Sequence, residues 1–185
     1  MSRIACVGSR ETPPGILRWM EAAGASLVRA GHTIVSGNAA GSDQAWARGG
    51  NAVDPTKVEL CLPWKHFEAQ AIHPQNVVRV LDEVPEDDRA LYYKVTQTYK
   101  TGTHQNQSVR KLFARNAMIV LGPLRPGSNV HWNRVSRVLA YGVGSGGTGR
   151  CCAIARRFGA DVFDVARPEI REAFDWATVT GPVFP

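Results

Sequence analysis

The chain has no run of five or more like charges and no apolar run approaching the roughly 20 residues that cross a bilayer. Its four cysteines make neither a metal-ligand spacing nor a disulfide framework. These absences exclude a membrane span, a basic tail that grips nucleic acid, and a small metal- or disulfide-stapled scaffold. Cys6 and Cys61 fall in predicted buried strands and Cys151 and Cys152 stand side by side in a predicted helix, so all four read as reduced core residues. His66 and His73 are too loosely placed to argue for a metal, and no metal site is expected. Met1-Ser2-Arg3 leads straight into an apolar run rather than a signal peptide, so a cytoplasmic protein is expected.

What is present bounds the fold. With 185 residues, 44% of them apolar, the chain is long enough for one well-packed domain and short for two. A single domain over 1–185 is expected, with a less regular insert at about 123–141. Lys and Arg number 22 against 16 Asp and Glu, a net +6 that favours phosphate-bearing partners.

The organising stretch is Ser36-Gly37-Asn38-Ala39-Ala40-Gly41-Ser42-Asp43, between the apolar run Thr33-Ile34-Val35 and a predicted helix over 44–52. Small residues leave the backbone N–H groups of such a strand-to-helix turn open, and the positive end of the following helix adds to their pull on an anion. Ser42 or Asp43 is expected to cap that helix. Two loops share this chemistry. Gly8-Ser9-Arg10 follows the run Ile4 to Val7, and the glycine-rich 142–149, with Gly146, Gly147 and Thr148, precedes a helix predicted to begin near Arg150. In an open parallel sheet such loops meet at the carboxyl ends of the strands, where ligands bind.

Strands are predicted at 3–7, 33–36, 58–62, 117–121 and 161–165, the fourth because Ala117-Met118-Ile119-Val120-Leu121 contains no polar residue. Thr12 is expected to cap a first helix whose core face carries Ile16, Leu17, Met20, Ala23, Leu27 and Val28, with Gly24 allowing close approach to the sheet and Gly31 ending it. Further helices are expected at 87–99, 107–116, 151–158 and 168–176. Trp64, followed by Lys65 and His66, either stacks on a ligand ring or seals the core. Tyr92, Tyr93 and Tyr99, with Lys94 and Lys100, are either a surface on which single strands stack or the inner face of a covering helix. Within the insert, Pro126 to Asn129 reads as a turn, His131 and Trp132 as exposed candidates, and the stretch with Val135, Val138 and Leu139 as a short helix or an extra strand.

These motifs in this order carry a resemblance. Gly8-Ser9-Arg10, then Ser36-Gly37-x-Ala39-x-Gly41-x-Asp43, then Ala114-Arg115-Asn116, then Gly146-Gly147-Thr148-Gly149 resemble the Rossmann-like superfamily of the DprA/Smf DNA-processing proteins and the LOG phosphoribohydrolases. The likeness spans roughly residues 3–165 and is nearest to small DprA-like nucleotide-binding proteins of bacteria and bacteriophages. It implies an α/β, doubly wound parallel sheet of order 3-2-1-4-5 with helices on both faces. It further implies that Gly8, Ser9, Arg10, Gly37, Gly41 and Asp43 line a nucleotide or phosphate pocket together with Gly146, Gly147 and Thr148. The motif positions Ser36, Ser42 and Asn116 complete that set, and Arg10 and Arg115 would supply charge-assisted bonds.

The expected function is therefore binding of a nucleotide, a nucleotide-derived signal or single-stranded DNA, with no other cofactor and a homodimer implied by the superfamily. The alternative is a LOG-like hydrolase or transferase acting on the N-glycosidic bond of a nucleoside monophosphate, with Asp43 and Arg115 as candidate catalytic residues. The LOG loop is followed by a glutamate, whereas this chain reads Arg150-Cys151-Cys152-Ala153 and offers no carboxylate there.

Overall fold

Among the described residues six short apolar or mixed runs form strands, and every pairing between them is parallel. The computed structural model describes residues 1–97, 106–123, 133–144 and 146–174. The order along the chain is β1 (Arg3–Gly8), α1 (Pro14–Arg29), β2 (Thr33–Ser36), α2 (Ser42–Asn51), β3 (Val58–Leu62) and β4 (Val77–Val80). It continues with α3 (Glu86–Gln97), α4 (Gln107–Leu121), β5 (Arg137–Tyr141), α5 (Gly146–Arg157), β6 (Asp161–Asp164) and α6 (Pro168–Glu172).

The sheet order is β4-β3-β2-β1-β5-β6. Strand β1 lies between β2, with Ile4 opposite Ile34, and β5, with Ile4 opposite Arg137. Side chains alternate across it. Ile4 and Cys6 join the core beneath α1 and α2 with Met20, Leu27 and Trp46. Ala5 and Val7 join the core beneath α4 and α5 with Met118, Ile119 and Cys152. Burial on both faces is why the β1 run carries no polar residue between Ile4 and Val7. The architecture is the α/β doubly wound sheet of Rossmann-like proteins.

Several expectations need correction. Ala117 to Leu121 is not a strand but the last turns of α4, completely enclosed, and Gly122 (φ 71°) closes the helix. A helix buried on all sides loses its polar face, and five apolar residues then look the same as a buried strand. The fourth strand in sequence is β4, an edge strand whose Val77 and Val78 are exposed, so it shows no buried pattern in the sequence. The strand beside β1 is β5, from the end of the expected insert, where Val138 and Leu139 take the extra-strand alternative rather than the short helix. The expected order 3-2-1-4-5 thus holds for β3-β2-β1-β5-β6, extended at one edge by β4.

Gly24 approaches α2 rather than the sheet: a Cβ there would lie 2.5 Å from the Trp46 carbonyl oxygen. Thr12 does not cap α1; its hydroxyl donates to the Ser9 carbonyl at 3.0 Å and meets Ser42 Oγ at 2.7 Å. Tyr92 belongs to the core, donating its hydroxyl to the Gly122 carbonyl at 2.6 Å. Trp64 packs edge-on against Phe67 with centroids 5.2 Å apart. Tyr99, Lys100, the 126–129 turn, His131, Trp132 and the end of the last helix at 175–176 lie outside the described residues.

Candidate functional site

The sheet order reverses at β1: the chain steps to β2, β3 and β4 on one side and enters from β5 and β6 on the other. At this point the loops after β1 and β5 must part, leaving a crevice at the carboxyl ends of the strands. A cleft of about 520 Å³ occupies it.

The two glycine loops after β1 and β2 are locked to each other. Ser42 N donates to the Ser9 carbonyl at 3.2 Å, and Ser9 N donates to the Tyr141 carbonyl at 3.1 Å, tying both to the end of β5. Gly41 permits the approach: it sits at φ 87°, and a Cβ there would lie 2.7 Å from the Ser9 carbonyl oxygen. Ser36 Oγ donates to the Cys6 carbonyl at 2.6 Å beneath the loop.

Asp43 is the hub of this arrangement. Its Oδ1 accepts from Gly8 N at 3.1 Å and its Oδ2 from Ala39 N at 3.3 Å. The carboxylate therefore joins the loop after β1 to the loop after β2, and neither Ser42 nor Asp43 caps α2 in the expected way, since its N-cap Gly41 has no side-chain bond. Burial pushes the Asp43 carboxyl up from its ordinary range, opposed by Arg115 and by the N–H groups of Ala39, Gly8 and Gly37.

Arg115 arrives from the opposite face of the sheet on α4 and is 6% exposed. Its Nη1 lies 3.6 Å from Asp43 Oδ2, an ion pair too long for a strong hydrogen bond. Arg115 Nε is buried and has no hydrogen-bond partner among the described residues. A Cβ on Gly37 would collide with the guanidinium, so only glycine leaves it room. Beside it, Asn116 Nδ2 donates to the Gly147 carbonyl at 2.9 Å and holds the start of α5 against α4.

Helix α5 begins at Gly146, earlier than expected, so Gly146, Gly147 and Thr148 form its first turn, the part of a helix whose N–H groups have no intrahelical acceptor, and all three line the cleft. The other wall is apolar: Val109, Leu112 and Phe113 of α4. Arg150 lies over the Phe113 ring with Cζ 3.7 Å from its centroid, and partial burial lowers the Arg150 pKa from the ordinary value.

Of the residues singled out in the sequence, Gly8, Ser9, Arg10, Asp43, Arg115, Asn116, Gly146, Gly147 and Thr148 reach the cleft. Ser36, Gly37, Gly41 and Ser42 do not line it; they are joints behind the wall. The apolar wall from α4 and the rim carboxylate of Glu11 were missed. The apolar spacing of Val109, Leu112 and Phe113 was visible in the sequence, but it read as a helix's inner stripe. Among the described residues no cluster of three or more His, Cys, Asp or Glu side chains is gathered to hold a metal. No helix among them is long and apolar enough to cross a membrane.

A parallel sheet with helices on both faces and a crevice at its reversal point defines a Rossmann-like protein. The family model described as DNA recombination-mediator protein A matches residues 1–120, and the chain belongs to that family. The solved structure of DNA processing protein A (DprA) from Streptococcus pneumoniae is similar with a TM-score of 0.51 and 19% identity, covering 89% of this chain and 50% of that one. That likeness is one of fold, and the chain spans about half the length of that relative. No curated protein matches the chain.

Proposed function

We propose that the chain binds a nucleotide in this cleft, either as a free nucleotide or nucleotide-derived signal, or as one residue of single-stranded DNA. The observation that carries the reading is Arg115: a buried guanidinium whose Nε has no partner among the described residues, on the wall of a cleft that also receives the first turn of α5. A buried donor without an acceptor costs about 1–3 kcal/mol, which a phosphate oxygen would recover. The apolar wall of Val109, Leu112 and Phe113 offers the base or sugar a dry surface. The family's description as a recombination mediator and the net charge of +6 support the DNA form of the reading.

Hydrolysis at an N-glycosidic bond finds less support. Asp43 already accepts from two backbone N–H groups, and the helix after the glycine loop reads Arg150-Cys151-Cys152-Ala153 without a carboxylate.

The test is a thermal-shift panel of nucleoside mono-, di- and triphosphates, NAD, cyclic nucleotides and short single-stranded DNA, repeated at high salt, with Arg115→Met alongside. A pocket ligand should raise Tm by several degrees in the wild type and far less in the variant. A strand held through its phosphates should lose affinity steeply with salt. Failure of every compound to shift Tm would remove the reading.

A further inference from the structure

Three non-glycine residues among those described adopt left-handed backbone, Asn38 (φ 59°), His66 (φ 66°) and Glu68 (φ 48°), and all three belong to one junction between the loop after β2 and the segment after β3. A left-handed conformation is unfavourable for side-chain-bearing residues, asparagine being among the most tolerant, and it persists only where surrounding contacts impose it. The contact here is a clamp. Asn38 is completely buried, and its Nδ2 donates to two consecutive carbonyls, Phe67 at 3.2 Å and Glu68 at 3.1 Å. Gln44 Nε2 donates to the Asn38 carbonyl at 3.2 Å, tying the clamp to α2.

The clamp fixes Phe67. Its ring is buried, braced edge-on by Trp64, and stands over the Arg115 guanidinium with Cζ 5.8 Å from the ring centroid. Phe67 does not line the cleft, so any effect on a ligand passes through Arg115. Neighbouring residues of one loop thus serve the same cation: Gly37 leaves it space and Asn38 sets the ring against it.

We infer that Asn38 and Phe67 are positioning residues for Arg115, an aromatic stop that closes one side of the guanidinium and holds its Nε in dry surroundings without a competing acceptor. A guanidinium held this way is ready for an anion, because its side chain has little freedom left to lose on binding. Loss of the ring would open the Nε–H to water. The inference deepens the phosphate reading of the cleft and rests on that reading only for the ligand arm of its test.

The first arm needs no ligand. The Arg115 Nε–H resonance, assigned by its disappearance in Arg115→Lys, should exchange slowly with solvent in the wild type and in Phe67→Tyr. In Phe67→Leu and in Asn38→Ala it should exchange at least about tenfold faster, while core amides keep their protection. The second arm measures AMP and inorganic phosphate by calorimetry: affinity should fall about three- to tenfold in Phe67→Leu and Asn38→Ala and stay near wild type in Phe67→Tyr. If Phe67→Leu fails to fold, Asn38→Ala decides by the same readings. Unchanged Nε–H exchange in folded Phe67→Leu or Asn38→Ala would overturn the inference. Altered exchange with no AMP or phosphate binding even in the wild type would leave the clamp standing and remove these two compounds as ligands of the cleft.

Discussion

A thiol surrounded by apolar side chains is denied the water that would solvate its thiolate, and all four cysteines of this chain are in that position. Burial pushes Cys61 up to about 12 and Cys152 to about 11, and raises Cys6 and Cys151 well above their ordinary value. At pH 8 the folded protein should therefore react negligibly with a thiol-exchange reagent, and four equivalents should react once denaturant is added; this is read directly from the absorbance of the released chromophore. Cys151 borders the cleft, so one reactive thiol in the folded state would mean that the wall opens. At this scale the sequence was informative about type and less so about role. Gly37, Gly41 and Ser42 were recognisable as special, because small residues crowd one loop. That they support the wall rather than line it depends on atoms from α4 and the loop after β1, which no local pattern announces.

Between elements, the same substitution has opposite expected signs at two glycines. Gly49 lies where α2 crosses α1, and a Cβ would collide with the Glu21 carbonyl oxygen, a backbone atom that cannot turn aside. Alanine's better helix propensity, about 1 kcal/mol, is outweighed by the separation of two packed helices, and Gly49→Ala should lose about 1–3 kcal/mol. Gly15 is exposed in the first turn of α1 with nothing closer than Arg18 Nη2 at 4.0 Å, so Gly15→Ala should gain about 0.5–1 kcal/mol. Urea midpoints at constant m-value check both. The amphipathic helices and the strands bounded by turns were legible because each shows its own period: α1 displays Met20, Ala23, Leu27 and Val28 on one face. Two elements were not. The end of α4 has no exposed face to set a period, and β4 is an edge strand with Val77 and Val78 each 40% exposed, so it lacks the buried pattern by which strands are recognised.

Across the whole molecule, a charge network staples the pole opposite the cleft. Glu59 on β3 is 5% exposed and pairs with Arg3 of β1 at 2.6 Å and Arg79 of β4 at 2.8 Å, while Arg3 also donates to the Asn133 carbonyl. Removing the shared carboxylate leaves two cations without it, and Glu59→Ala should cost about 3 kcal/mol by chemical denaturation. Ligand binding should be unaffected at saturating concentration, because the network and the cleft lie at opposite ends of the strands. If Glu59→Ala proved neutral, the sheet would be held at that end by packing alone.

The position of β1 has a consequence in time. One of its edges is taken by β2 about thirty residues later, but the other waits for β5, with Ile4 opposite Arg137. As the chain leaves the ribosome, the first four strands are made while that second edge is still bare. At 5–20 residues per second the hundred residues between β2 and β5 leave it open for roughly 5–20 s. An open strand edge recruits whatever extended chain is nearby. Ending translation after α4 would keep it open for good, and such a fragment should pass into the pellet when lysates of cells making it are spun beside those making all 185 residues.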